Sequence, residues 1–181
     1  MVELKSAYNS FKLAYDSKPG DFKVASDFWG VSNGDGDGII EYAEAALAWI
    51  HLNESEIVNF VPESTLAGVT ANLYPATFGD SVWYMFGLSQ INPGFVNFLG
   101  ENFTVLYLIK TTNVWEGGIT PKEAYLIDKK YDDGSPVLGK MLALDQNTSA
   151  NGCLDPGNYV TSTAEYQITS PDHCRLVFNI D

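Results

Sequence analysis

The sequence predicts an α+β fold in a single domain, with helices early and antiparallel strands toward the end. Three observations predict it. An amphipathic pattern of helical period occupies the first residues. A capped helix opens at Thr120, and short apolar runs of strand length gather in the last third. Hydrophobic residues make up 45% of the 181 positions, enough for one real core and too many for a disordered chain.

Residues 2–16 set Leu4, Ala7, Tyr8, Phe11 and Tyr15 at helical spacing, with Glu3, Lys5, Asn9, Lys12 and Asp16 between them. Pro19-Gly20 stops that helix, and a short segment, Asp21–Gly30, follows. A second helix is expected from about Glu41 to Asn53, with Ala43, Ala46, Leu47 and Ile50 on one face. Residues 60–118 mix Gly, Pro, Asn and aromatics, and predict an irregular β insert in which only Thr104–Lys110 reads as a clean buried strand. Thr120-Pro121-Lys122-Glu123 is a capping box with Pro at the first helical position, so a short helix runs to about Lys130. Asp132-Asp133-Gly134 ends it, and Gly139–Leu144, Ala164–Thr169 and Arg175–Ile180 read as strands. One domain over 1–181 results, in three stretches: 1–59 helical, 60–118 the insert, 119–181 a helix and the last strands.

Residues 33–44 carry a calcium-loop pattern. Counted from Asn33 as position 1, oxygen side chains fall at position 3 (Asp35), 5 (Asp37), 9 (Glu41, through water) and 12 (Glu44). Gly38 takes the sharp turn at position 6, and Ile39 offers its backbone carbonyl from position 7. Short acidic side chains on alternate residues can converge on one hard cation, and the longer Glu44 can close the site from the following helix. Asn33 replaces the usual first Asp and removes one charge, which predicts modest affinity. The plainer alternative is an Asp/Gly-rich surface turn. The entering helix of a full EF-hand is doubtful, so a single calcium loop describes the pattern better.

A net charge of −13 argues against nucleic acid as a partner, since phosphates would be repelled, and favours cations. Cys153 and Cys174 are the only cysteines, and no His at ligand spacing joins them, so zinc is not expected. Either they form a disulfide closing a loop rich in Asn, Gly, Ser, Thr and Pro, or they are two buried thiols. A disulfide would place the protein in an oxidising compartment. Residues 1–6 carry no export signal, so the expectation is that a preceding segment has been removed.

Several of these stretches resemble the type IV pilin-like family, especially bacterial pseudopilins and prepilin-type proteins. They are Ala7–Phe11 running through Tyr15–Asp21 into the Pro-Gly-Asp turn, then Asp27-Phe28-Trp29-Gly30 with the Gly-Asp-Gly-Asp-Gly run and Ala48-Trp49-Ile50-His51-Leu52. The most specific is Thr120–Ala124 with Ile127–Pro136 and Gly139-Lys140. The likeness covers about half of the chain, at both ends.

The resemblance implies a pilin-like head whose N-terminal amphipathic helix packs on an antiparallel sheet, with a C-terminal loop closed by a disulfide. It also implies a subunit made as a prepilin and anchored by a hydrophobic N-terminal helix before assembly. The filament would be a type IV pilus or a type II secretion pseudopilus, periplasmic or on the cell surface. Its partners would be copies of itself, other pilin-like subunits and the inner-membrane assembly machinery. Calcium fits by analogy, although major pseudopilins hold their ion in a C-terminal loop and not at a loop like 33–44. Asp128, Asp132, Asp133 and Asp155 could form a second acidic site, or could simply cap a helix and shape a turn.

Other chemistries are less well supplied. The two histidines, His51 and His173, accompany no nucleophile motif, no His-Glu-x-x-His and no phosphate-binding loop, so no catalysis is expected. His51 reads as a helix-face residue beside Trp49. The alternative function is a calcium-dependent extracellular binding module or adhesin, using Trp83, Tyr84, Phe86, Phe95, Phe98 and Trp115 if they face solvent.

Overall fold

A computed structural model describes residues 2–59, 73–77, 81–87, 103–110, 116–144, 152–155, 164–171 and 173–181. Among them, three helices come first: α1 (Val2–Tyr15), α2 (Ala25–Trp29) and α3 (Ala45–Glu54). The strands β1 (Tyr74–Pro75), β2 (Ser81–Gly87) and β3 (Thr104–Lys110) follow, then α4 (Pro121–Tyr131), β4 (Met141–Leu144), β5 (Leu154–Asp155), β6 (Glu165–Tyr166) and β7 (Arg175–Asn179). The mixed helix and antiparallel-sheet architecture is α+β, and Cys153 and Cys174 form a disulfide.

Five strands make an antiparallel sheet in the order β1-β2-β3-β7-β4, and β5 pairs with β6 separately. The register sets Trp83 opposite Leu108 and Leu106 opposite Phe178, so these large side chains share one face. Trp83 meets Phe178 edge to face at 5.3 Å on that side. The other face carries Tyr84, Phe86 and Tyr107, also buried, with the Tyr42 ring tilted against Tyr84 at 5.8 Å. β2 and β3 therefore bury nearly every residue, which is why their sequences are continuous apolar runs without alternation. Trp83, Tyr84 and Phe86 are core residues and offer no solvent-facing strip; Phe95, Phe98 and Trp115 lie outside the described residues.

The predicted helix at residues 2–16 is α1. Its stripe of Leu4, Ala7, Tyr8 and Phe11 is buried, and each such large side chain contributes about 1.5–3 kcal/mol of burial. Asp181 pins it to the sheet. Its carboxylate accepts from Tyr8 Oη at 2.7 Å, Lys12 Nζ at 2.9 Å and the Thr104 N–H at 2.6 Å. Burial works to raise the Asp181 pKa, but these donors and nearby Lys18 together hold it at about 2.

The capping box at Thr120 is complete. Thr120 Oγ1 accepts from the Glu123 N–H, and Glu123 Oε2 accepts from the Thr120 N–H. Two expected elements differ in extent. The helix expected from Glu41 begins at Ala45, because Glu41–Glu44 form a turn closed on the Glu44 carboxylate. The strand expected at Ala164–Thr169 is only Glu165–Tyr166, since the chain turns at residues 168–169. No described helix is long and apolar enough to cross a membrane.

Candidate metal centre

The loop at 33–44 is folded onto the turn that follows α1, and two glycines make the approach possible. Gly20 has φ +92°, and a Cβ there would stand 2.9 Å from the Glu44 carbonyl oxygen at the start of α3. Gly34 lies so close to Gly20 and Asp21 that any side chain would strike their backbone, and its N–H donates to the Phe22 carbonyl at 3.0 Å.

His51 braces the same junction from α3. The Gly20 N–H donates to His51 Nδ1 at 2.9 Å, which leaves Nε2–H to donate to the Ser32 carbonyl at 2.9 Å. The imidazole is fully buried, stacked near Phe11, and burial lowers its pKa against the opposing pull of the Ser32 carbonyl. So His51 ties both ends of the segment from Gly20 to Ser32. The sequence shows only a histidine on an apolar helix, and nothing local signals this role.

Within the loop the acidic residues converge. Asp21, Asp35 and Glu44 each bring a carboxylate oxygen within 4.8 Å of the others, and Asp35, Asp37 and Glu41 form a second such triad. Glu44 is buried at the N-terminus of α3, with Oε1 accepting from the Asp35 N–H and Oε2 from the Glu41 N–H. Asp35 Oδ1 accepts from the Asp37 N–H, and Asp37 Oδ1 from the Ile39 N–H, each a side chain bonding its own backbone two residues on. Of the predicted ligands, the structure thus brings Asp35, Asp37, Glu41 and Glu44 together.

Asn33 is engaged at the start of α2. Its Oδ1 accepts from the Ser26 N–H at 2.7 Å. The N-cap position of α2 is Val24, which has no side-chain acceptor, and Asn33 supplies the missing one from downstream. Ile39 turns its N–H onto Asp37, and no contact in the structure assigns its carbonyl to the acidic group.

Asp21, unpredicted, joins Asp35 and Glu44 in the first of these triads. It is 3% exposed; Oδ2 accepts from the Gly38 N–H at 3.0 Å, whereas the buried Oδ1 has no hydrogen-bond partner. Burial raises its pKa, the backbone N–H groups of Gly38, Gly36 and Asp37 oppose that, and the Asp37 charge adds repulsion. Glu44 is raised by burial and then, among charges, by Asp21 and Asp35. Glu41 is raised by partial desolvation and by Asp35, Asp37 and Asp21. Among the described residues no lysine or arginine forms an ion pair with these five acids. The donor set is all oxygen and all negative, which fits a hard divalent cation such as calcium.

The C-terminal acidic group is built differently. Asp128, Asp132 and Asp133 lie together, but Asp155, on β5 opposite Glu165, is not part of the group. Asp128 Oδ2 accepts from Tyr166 Oη at 2.7 Å and Oδ1 from the Gly134 N–H at 3.1 Å. Asp132 Oδ2 accepts from the N–H groups of Lys140 and Met141, holding the start of β4, and Asp133 Oδ1 accepts from the Ser135 N–H. These acids shape a turn and join α4 to β4. Cys174, being in the disulfide, leaves His173 no thiolate to activate.

No family model, curated protein or solved structure matches this chain.

Proposed function

We propose that this chain is the extracytoplasmic head of a pilin-like filament subunit, structural and without catalysis, whose acidic loop takes up calcium. The observation that carries the reading is the division of labour on α1. One stripe is buried, with Tyr8 bonded to Thr104 of β3 and Phe11 packed near Phe22, Trp29 and His51, while Val2 and Leu13 are 72% and 89% exposed. They line an open groove of about 700 Å³ whose opposite wall includes Met141, Phe178 and Ile180. Aliphatic side chains left bare beside an apolar groove are the kind of surface through which identical copies pack.

Two further features support the reading. A helix laid on an antiparallel sheet, with a C-terminal segment closed by a disulfide, is what the resemblance implies. The disulfide itself suits an oxidising compartment such as the periplasm or cell surface. Partners on this reading are copies of the chain, other pilin-like subunits and the membrane assembly machinery. The test is made in the cells that produce the protein. An antibody to this chain should label filaments or short pseudopili, and Leu13→Cys should yield a ladder of cross-linked copies on oxidation. Recovery of the chain from the cytoplasm, monomeric and with both native thiols reduced, overturns the proposal.

A further inference from the structure

The acidic loop and the turn before it behave as one site. We infer that its cation is held by Asp21, Asp35 and Glu44, with Asp21 in the place that the loop spacing gives to Asn33. The ion then joins two separate segments, the Pro-Gly-Asp turn after α1 and the loop entering α3, and is not enclosed by one contiguous loop. This inference rests on the calcium part of the reading above and is independent of filament assembly.

Four observations converge on it. Asp21 is buried and its Oδ1 makes no hydrogen bond, so although backbone N–H groups of the loop face the carboxylate, a charge held there costs free energy that a cation would offset. Asn33 is already committed to capping α2. The loop is fixed over the turn by the Gly38 N–H on Asp21 and the Gly34 N–H on Phe22. Lys12 and Lys18 are directed to Asp181 at 2.9 and 3.7 Å, and Lys23, whose stem lies against Gly36, forms no ion pair among the described residues, so none of the three is paired with these acids.

The spacing also suits calcium. Ligand oxygens on opposite sides of a calcium ion, at about 2.4 Å each, stand just under 5 Å apart, and the three carboxylates lie within 4.8 Å of one another. Asp35 belongs to both triads, so Asp37 and Glu41 are placed to complete the oxygen shell directly or through water. Magnesium, which demands a tighter octahedron and keeps its own water, should be held less well. A cleft of about 360 Å³, lined by Asp21 and Asp37 and also by Lys12 and Lys18, opens the site to solvent.

The experiment is thermal unfolding plus calorimetric titration of the purified chain, with calcium, with magnesium and with chelator, on wild type, Asp21→Asn, Asp35→Asn and Asn33→Ala. Wild type should gain about 5 °C or more at calcium a hundredfold above its Kd, and much less with magnesium. Asp21→Asn and Asp35→Asn should each weaken calcium binding at least about tenfold. Asn33→Ala should lower the melting temperature equally with calcium and with chelator, leaving the calcium affinity unchanged.

A crossing separates a ligand from a purely structural Asp21. In chelator, Asp21→Asn should melt no lower than wild type, because it removes a buried charge that lacks a partner; with calcium the wild type should overtake it. If Asp21→Asn melts lower in both conditions and keeps the full calcium shift, Asp21 is only a backbone acceptor and the inference fails. If Asn33→Ala is the variant that loses the ion, the contiguous loop holds it and Asp21 does not. If wild type shows no calcium shift and no binding, calcium is lost from the reading altogether, while cross-linking of Leu13→Cys still decides filament assembly.

Discussion

Reduction of Cys153–Cys174 is the perturbation whose effect follows most directly from the structure. The bridge spans a sequence separation of 21, which the chain-entropy relation converts to about 3 kcal/mol at 25 °C. Both sulfurs lie in fully buried residues, so the folded state loses little when they are reduced, and most of the effect comes from freeing the unfolded chain. The segment between them is well chosen for such a link. β5 and β6 pair over two residues each, too short to hold alone, and among the described contacts the segment is held by Tyr166 on Asp128 and Tyr125. The far end is tied where the Cys174 N–H donates to the Ile119 carbonyl, directly before β7. For a chain of this size, about 3 kcal/mol corresponds to a fall of roughly 6–12 °C in melting temperature. The assay is far-UV circular dichroism on heating, oxidised against phosphine-reduced, with thiols titrated in each sample and the Cys153→Ala/Cys174→Ala double variant alongside. The urea m-value should rise, because an uncrosslinked chain exposes more surface. Two titrated thiols with a melting temperature unchanged to within about 1 °C would refute the argument.

Other outcomes can be read in the same instrument. Burial, then repulsion from Asp133 and Asp132, lifts the Asp128 pKa from 3.8 to about 6 against the donors Tyr166 and Gly134. The folded state therefore holds that proton more tightly than the unfolded one. The stabilisation is present below pH 3.8 and is lost as pH rises through about 6. Asp128→Asn, which can keep the Gly134 contact and donate to Tyr166, should flatten that part of the melting profile; an unaltered slope would remove Asp128 as its source. Thr120→Ala breaks the capping box and should cost about 1 kcal/mol, measured by urea unfolding, with helix loss confined to α4 by hydrogen exchange. Leu108→Ala, at a fully buried position in the central strand β3, should cost about 2–5 kcal/mol by urea unfolding; a cost under about 1 kcal/mol would place that residue outside the core.

What could be read from the chain followed the range of the forces involved. α1, α4 and β3 were legible because each is specified by its own residues: an apolar stripe, a Thr-Pro-Lys-Glu cap, a five-residue apolar run from Val105 to Ile109. β2 was not singled out, although it is as long and as buried as β3. Ser81–Gly87, like β3, is apolar on both faces, but it sits in a stretch crowded with aromatics and turn residues that obscure its limits. The start of α3 was misplaced by four positions because a tertiary demand overrode propensity: Glu44 bends its carboxylate back onto two backbone N–H groups.

The two acidic groups show why counting acids at a spacing is a weak guide to a metal. In sequence, Asp128-Asp132-Asp133 and the 33–44 loop are alike, each a run of carboxylates around glycine. In the fold they diverge in what answers each oxygen. The tyrosine hydroxyl and backbone N–H groups around Asp128, Asp132 and Asp133 account for the charge with groups the protein itself supplies. Around Asp21 they do not: one buried oxygen makes no hydrogen bond, whereas in both groups the neighbouring charges are other carboxylates. The residue that distinguishes the two cases lies outside the loop motif and reaches it only because Gly20 and Gly34 let two backbones touch. A contiguous motif could not have named it. A ligand is identified by the partner an atom lacks once the chain has folded, and on that criterion the proposed cation would sit between α1 and α3, where it would act on the helix that the filament proposal needs held in place.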